Sequence, residues 1–339
     1  ASGFRPAQPA QTDLNAPSMN PSLSVTDLLS GRIDAFRQLR RVQAASLIMT
    51  VFGDTVLPRG GRIWLGSLIR LLEPLDLNER LVRTSVFRLV KEGWLAAETV
   101  GRRSDYLLTP SGRRQFEEAS RHIYASRAPL WDRRWRLILV ASELDGKMRD
   151  LLRRTLSWKG FGLVGGNCFI HPGADLADVL DLLAASGLTD ALPALKPLVA
   201  ADFHSSLAAS DADLVARAWD LGALATGYAS FNALYQPILE QLRTPAMVAA
   251  DDERAFLLRI LLIHDYRRLL LRDPELPEVL LPSDWPGQQA RLLCTELYRR
   301  LAAPVERHLN QHVTLADGSV PTADAGLPER FPAFDPVAV

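Results

Sequence analysis

Asn78-Glu79-Arg80-Leu81-Val82-Arg83-Thr84-Ser85-Val86-Phe87-Arg88-Leu89-Val90-Lys91-Glu92-Gly93 reads as one helix with both ends marked. Asn78 is a good N-cap, Glu79 suits the positive end of the helix dipole, and Gly93 can take the left-handed conformation that closes a helix. Val82, Val86, Leu89 and Val90 fall on one stripe at helical spacing and predict a core-facing side. Arg80, Thr84, Arg88 and Lys91 fall on the opposite side, with Arg83 at the border. That outward face is basic, yet it also carries Leu81 and Phe87, which a merely solvated face has no need of.

The residues that follow predict a hairpin. Gly93 to Val100 reads as a strand, Gly101-Arg102-Arg103-Ser104-Asp105 as a turn, and Tyr106-Leu107-Leu108 as the returning strand. A helix followed by a short hairpin with arginines at its tip is the winged-helix arrangement, in which the helix enters a DNA major groove and the wing reaches the neighbouring backbone. The expected DNA-contacting set is Asn78, Arg80, Arg83, Thr84, Ser85 and Arg88 on the helix, with Arg102 and Arg103 on the wing. Arg80 and Arg88 are the candidates for guanine edges, because a guanidinium can bond O6 and N7 together. Thr84 suits a base edge or a thymine methyl. Arg83, Arg102 and Arg103 suit phosphates, which set register without reading sequence. For Arg83 an ion pair with Glu79 or Glu92 is the competing expectation, and for Arg102 and Arg103 a solvated hairpin tip.

The rest of the chain is consistent with a protein that offers one end to a polyanion. The 339 residues suffice for two or three domains and carry no net charge, but the charge is partitioned. Residues 32–136 hold 20 Lys and Arg against 11 Asp and Glu, whereas residues 137–339 hold 18 against 26. Such a division suits a basic module joined to an acidic one. The two cysteines, Cys168 and Cys294, match no disulfide or metal-ligand spacing, and no apolar run reaches membrane-spanning length. A cytoplasmic protein with no membrane partner is expected.

Taken in order, residues 1–31 are rich in Pro, Ser, Ala and Asn and predict a disordered tail. Phe36, Leu39, Arg40, Ala44, Leu47, Ile48, Val51 and Phe52 fit a first helix ended by Gly53, and Trp64 to Leu72 fit a second. Thr109 as N-cap and Pro110 at the first helical position open another helix to about Tyr124. From Trp135 the order strand, helix, strand, strand, helix, strand predicts a ferredoxin-like sandwich ending at Leu198 to Phe203. Beyond Asp211 the pattern is helical, with long periodic stretches at Leu214 to Tyr235, Asp251 to Leu271 and Gln288 to His308.

Several stretches together resemble one family, the phenylacetate-degradation repressors of bacteria (the PaaX type). They are Leu57 to Ile69 (LPRGGRIWLGSLI), the helix and wing above, Trp158-Lys159-Gly160-Phe161-Gly162, His264-Asp265-Tyr266-Arg267-Arg268, and Asp273-Pro274-Glu275-Leu276-Pro277 through Asp284-Trp285-Pro286-Gly287. The similarity runs from about Phe36 to His308. It implies an α+β chain: an N-terminal winged helix over 32–128, a central ferredoxin-like (Cas2-like) domain over 129–207 and an all-α domain over 208–312. The residues after Val313 are proline-rich, and that composition predicts a mobile tail over 313–339. The resemblance also implies a homodimer, a palindromic operator in double-stranded DNA, and release by phenylacetyl-coenzyme A or a related acyl-coenzyme A, with no other cofactor and no metal.

A coenzyme A thioester needs cationic groups beside an aromatic slot. His264, Tyr266, Arg267, Arg268 and Trp285 are the expected effector site, although arginines closing an apolar helix also serve the helix dipole. Enzyme readings are weaker. His264-Asp265 resembles part of a metal-dependent phosphohydrolase pair but has only His204 to extend it. Cys168 and His171 should point to opposite faces of a strand, and Asp145 is a lone carboxylate suited to a turn. A nucleic-acid-processing enzyme built on the middle domain and a coenzyme A-thioester hydrolase are the alternatives to a non-catalytic repressor.

Overall fold

The chain is α+β, and its computed structural model describes residues 25–38, 44–201, 209–243, 251–322 and 329–332. Its N-terminal part runs α1 (Val25–Arg37), α2 (Ala44–Val51), two short irregular turns over Phe52–Arg59, β1 (Arg62–Trp64), α3 (Leu65–Leu72), α4 (Glu79–Lys91), β2 (Leu95–Val100), β3 (Arg103–Leu108) and α5 (Pro110–Ile123). The three strands form an antiparallel sheet in the order β1-β3-β2. This is a winged helix, with α2, α3 and α4 as its helices and β2–β3 as its wing. Asn78 caps α4 by accepting from the Leu81 N–H at 2.9 Å, and Thr109 caps α5 by accepting from that of Gly112 at 2.9 Å. Both expected caps are in place.

The middle unit runs β4 (Arg134–Val140), α6 (Gly146–Trp158), β5 (Gly162–Val164), β6 (Cys168–His171), α7 (Leu176–Leu183) and β7 (Leu195–Ala201). Its strands are antiparallel in the order β5-β6-β4-β7, the ferredoxin-like arrangement. One face carries Ile138 and Phe169 against Leu152 and Leu156 of α6 and Val179 and Leu183 of α7. The other face carries Trp135 and Ile170 against Val215, Leu276 and Leu280.

Among the described residues four α-helices follow: α8 (Asp211–Ala218), α9 (Gly222–Leu242), α10 (Asp252–Leu270) and α11 (Pro286–His312). The single periodic stretch expected from Leu214 to Tyr235 is in fact two helices, because Trp219 breaks it. The Trp219 indole N–H donates to the Gly160 carbonyl at 2.9 Å, and its ring stacks on Trp135. Gly162 makes room for this: a Cβ there would stand 2.7 Å from both Ala218 and the Trp219 ring. Helix α8 therefore covers the back of the middle sheet rather than joining the C-terminal bundle.

The helical domain is organised on α10, which is buried on nearly every side: Ala255 to His264 are all inaccessible. It packs on α9 and α11 within its own domain and on α1, α2 and α5 outside it. One continuous core consequently runs from Leu47, Ile48 and Phe52 through Phe256, Leu261 and Ile263 to Leu297 and Leu301. The winged helix and the C-terminal helices are not separate globules. Charged groups cross the same boundary. Arg32 of α1 pairs with Asp265 at 2.5 Å and donates to the Tyr235 hydroxyl, and buried Asp54 pairs with Arg259 of α10 at 3.0 Å.

Three expectations need correction. Order does not wait for residue 32: α1 begins at Val25, because Ile33 and Phe36 are buried on the bundle and Arg32 anchors it. The stretch proposed as the first helix is also not one piece, since Phe36 lies in α1 and Ala44 begins α2, while Leu39 and Arg40 fall outside the described residues. Nor is residue 313 the start of a mobile tail. Val313, Ala316 and Phe331 are buried, the Trp64 N–H donates to the Thr314 carbonyl, and the Ala316 N–H donates to buried Asp105 at 2.7 Å. Proline-rich composition concealed a segment held by specific polar contacts.

Asp54 also receives Arg330 at 3.2 Å, so one inaccessible carboxylate serves two guanidinium groups. Asp54→Ala would leave both without their anion. It should lower unfolding free energy by about 3–5 kcal/mol, measured by urea denaturation, with α2 and the C-terminal helices still melting in one transition.

Candidate nucleic-acid interface

Helix α4 buries Val82, Val86 and Leu89 on α2 and leaves the opposite side open. Phe87 is 72% exposed and Leu81 37% exposed, so apolar surface stands among the arginines of that side. Such groups suit contact with thymine methyls. Arg80 and Lys91 make no ion pair or side-chain hydrogen bond among the described residues and are free to reach outward. Arg88 sits 3.3 Å from Glu92 and Arg83 2.6 Å from Glu79. The intramolecular pair weighed for Arg83 is thus formed. Exposed pairs of this kind hold by less than about 1 kcal/mol, so neither arginine is committed by it.

The remaining helix candidates divide. Thr84 is exposed, its hydroxyl donating to the Arg80 carbonyl at 2.8 Å. Asn78 spends its side-chain oxygen on the cap of α4 and acts by fixing the helix start. Ser85 is 8% exposed and faces the core. Its position three residues from Val82 and four from Leu89 places it on the buried stripe, so it drops out of the DNA-contacting set.

The wing is tighter than expected. Val100 pairs with Arg103, so the turn is Gly101-Arg102 alone, with Gly101 at φ 61° in the left-handed region that favours glycine. Arg102 is at the tip, exposed and without an ion pair among the described residues. Arg103 is in the strand instead. Its guanidinium lies 4.6 Å over the Trp64 ring, a cation–π contact that ties β3 to β1. Arg102 is the phosphate candidate, and Arg103 braces the wing.

The five residues expected to hold an effector do not converge. His264 is buried and sits 3.1 Å from Thr50 Oγ1 of α2, while Arg267 donates to the carbonyl and hydroxyl of Ser46, also in α2, at 3.1 and 2.9 Å. Tyr266 packs in the core against Phe231, Arg268 is exposed, and Trp285 precedes α11 with its ring edge-on to Tyr228. What resembled a ligand cluster in sequence is largely the bearing on which the winged helix sits. His264 and Arg267 are engaged by side chains of α2, whereas Arg268 is left exposed.

The enzyme candidates occupy structural posts. Cys168 lies with Ile170 on one face of the middle sheet, and His171 meets the Phe161 ring on the other. Asp145 caps α6 by accepting from Met148 at 2.8 Å. Asp265 is engaged by Arg32 and Tyr235, and His204 lies outside the described residues. Among the described residues no three His, Cys, Asp or Glu side chains gather as a metal would require, and no helix is long and apolar enough to cross a membrane.

Three family models match in chain order: a PaaX-like protein model over residues 43–112, the PaaX protein central Cas2-like domain over 128–201, and the PaaX-like protein C-terminal domain over 219–311. The transcriptional repressor PaaX of Escherichia coli (strain K12) is 38% identical over 296 residues, which is 86% of this chain and 90% of that one. The chain belongs to the PaaX family of regulators. Among solved structures, uncharacterized protein Rv0674 from Mycobacterium tuberculosis is 24% identical, with a TM-score of 0.45 over 70% of this chain and 90% of that one. In this PaaX-family chain the first matched segment contains the whole of α4 and of the β2–β3 wing. The start of the third, at Trp219, coincides with the break between α8 and α9.

Sequence reasoning passed over two features of the family member described here: the Arg103–Trp64 brace and the buried Asp54–Arg259–Arg330 group. Arg259 alone within the apolar run Ala255 to Ile263 was the legible sign, because a charge there must find a partner. The junction also carries a pH signature. Burial, with Arg267, Arg268 and Arg32 nearby and Asp265 opposing them, holds the His264 imidazole down to about 4. A histidine depressed when folded stays neutral in the native state while the unfolded chain takes up a proton. Stability should therefore fall as pH drops from about 6.5 toward 4, by up to about 1.4 kcal/mol per pH unit for this group. His264→Gln should remove one proton's worth of that slope in urea titrations across the same range.

Proposed function

We propose that this chain is a dimeric, non-catalytic repressor of phenylacetate-catabolism genes. It acts in the cytoplasm, binds operator DNA through α4 and the β2–β3 wing, and leaves when phenylacetyl-coenzyme A binds. The observation that carries the DNA reading is the outward face of α4. Arg80, Arg88, Thr84 and Phe87 are exposed on a helix whose opposite side is locked into the core, with Arg102 at the adjacent wing tip. Cationic, hydroxyl and apolar groups together on one rigid helix are what base edges in a major groove require. In a dimer the two helices would enter successive grooves, which sets half-sites about one helical turn or a multiple of it apart. The relative from Escherichia coli, a transcriptional repressor PaaX, supports repression as the outcome of binding. Release requires that the thioester favour the state with low operator affinity, by about 1.4 kcal/mol for each tenfold loss.

The test is an electrophoretic mobility shift on the DNA upstream of the chain's own gene, with and without phenylacetyl-coenzyme A. The thioester should abolish the shift, and free coenzyme A should not. Joint replacement Arg80→Ala and Arg88→Ala should weaken binding at least a hundredfold if each contact is worth roughly 1–3 kcal/mol, with an unchanged circular dichroism spectrum. Arg102→Ala should instead weaken all sequences alike and lower the slope of log affinity against log salt by roughly 0.9 per protomer. Retention of the full shift by the double variant would remove α4 as the reading element.

A further inference from the structure

The segment Arg330-Phe331-Pro332 returns to the junction between the winged helix and the C-terminal bundle and behaves there as a bound ligand does. The Phe331 ring is inserted between Tyr124, at the end of α5, and Tyr298 of α11, edge-on to the first at 5.3 Å and to the second at 5.2 Å. Phe331 is 1% exposed. Its N–H donates to the Tyr124 carbonyl at 3.0 Å, and Arg299 Nη2 donates to the Phe331 and Pro332 carbonyls at 2.7 and 2.9 Å. The Arg330 guanidinium lies 4.2 Å over the Tyr124 ring and donates to the Gly53 carbonyl, to Asp54 and to the Tyr298 hydroxyl.

Two features mark this occupant as replaceable. Phe331 is held at φ +48°, a left-handed conformation that is strained for a bulky side chain and that concentrates at clamps and switches. Arg330 is also the surplus cation of its site. Asp54 pairs with Arg259 as well, so withdrawal of Arg330 leaves a one-to-one buried pair rather than an orphaned charge. The socket left behind would have aromatic walls from Tyr124 and Tyr298. Arg299 would be a free donor beside it, and the Arg259 Nε, which has no hydrogen-bond partner now, lies at the same Tyr298 ring.

We propose that Arg330–Phe331 is an internal occupant of an aryl-binding slot, and that the phenyl ring of an arylacetyl thioester displaces the Phe331 ring from between Tyr124 and Tyr298. The chemistry corresponds group for group. Phe331 offers a phenyl ring joined through two carbons to a carbonyl oxygen that Arg299 holds, and a phenylacetyl thioester offers the same ring one carbon from its carbonyl. No covalent step is involved. Because Asp54 and Tyr124 belong to the winged-helix side and Tyr298, Arg299 and Arg259 to the C-terminal helices, the exchange replaces a tethered staple across the junction by a freely dissociating one. This inference rests on the thioester reading above and names its site.

The experiment is calorimetric titration of phenylacetyl-coenzyme A into the full-length wild type, Phe331→Ala and Tyr298→Leu. It is paired with limited trypsin digestion of the wild type, followed by mass spectrometry of the Phe331–Val339 peptide. Removal of the competing ring should tighten binding roughly tenfold in Phe331→Ala, and loss of an aromatic wall should weaken it in Tyr298→Leu. Phenylacetyl-coenzyme A, but not coenzyme A, should accelerate cleavage after Arg330. That digestion uses the native chain and stands whether or not the variants fold. Wild-type affinity in both variants, with cleavage at Arg330 unchanged by the ligand, would overturn the slot while leaving the thioester as effector. Absence of binding by wild type and Phe331→Ala alike would overturn the effector reading itself, and the slot with it.

Discussion

One carboxylate fixes how the winged helix sits on the rest of the chain. Asp54 is fully buried in the turn that follows α2, and it meets guanidinium groups from α10 and from the returning C-terminal segment while accepting the Tyr124 hydroxyl at 2.8 Å. Burying such a group carries a desolvation cost that its pairing only partly offsets, so its main effect is on geometry rather than on net stability. A sliding motion of α2 along α10 would pull the carboxylate away from a cation that has no water to turn to. The orientation of α2 is thereby set to within a hydrogen bond, and α4, whose buried stripe rests on α2, inherits that orientation.

Elements marked by local chemistry were legible in the sequence. Asn78, Thr109-Pro110 and Gly93 announced helix ends that the backbone adopts, since caps depend on residues three or four apart. The ferredoxin-like order of the middle unit was legible because alternation and turns are local as well. What the sequence withheld was partnership across distance. The segment from His264 to Arg268 carried cations and an aromatic, but nothing within it says that Thr50 and Ser46 lie opposite two of its side chains. Ser85 was counted among the DNA-contacting residues, whereas its register puts it inward. Periodicity alone could not foresee that the Trp219 indole would find the Gly160 carbonyl and end a helix there.

The tail shows the same limit from the other side. Composition predicted mobility after Val313, yet composition averages over residues, and anchoring was done by a few: Ser67 bonding Thr314, Asp105 holding the Ala316 N–H, and Arg330 with Phe331 at the Asp54 site. These contacts join the C-terminal segment to α3, β3 and the turn after α2. Polar buried contacts of this sort contribute little to hydrophobic burial but specify one arrangement over others.

A shared core constrains how any signal could pass from the C-terminal helices to α4. Interiors packed to crystal-like density resist gradual deformation, so movement across such a boundary proceeds between discrete packings. The middle domain differs, since its two faces have cores of their own and its ties to the C-terminal region run through Trp219 and the contacts of Leu276 and Leu280. Relative rotation of the middle domain would therefore carry the winged helix and the helical bundle as one body and leave α4 fixed relative to α10. Replacement of a tethered side chain at the Tyr124–Tyr298 site would act differently, by altering the angle of α2 within that body. The two routes make different demands on α10: the first leaves its contacts with α2 intact, whereas the second must disturb the Ser46 and Thr50 hydrogen bonds.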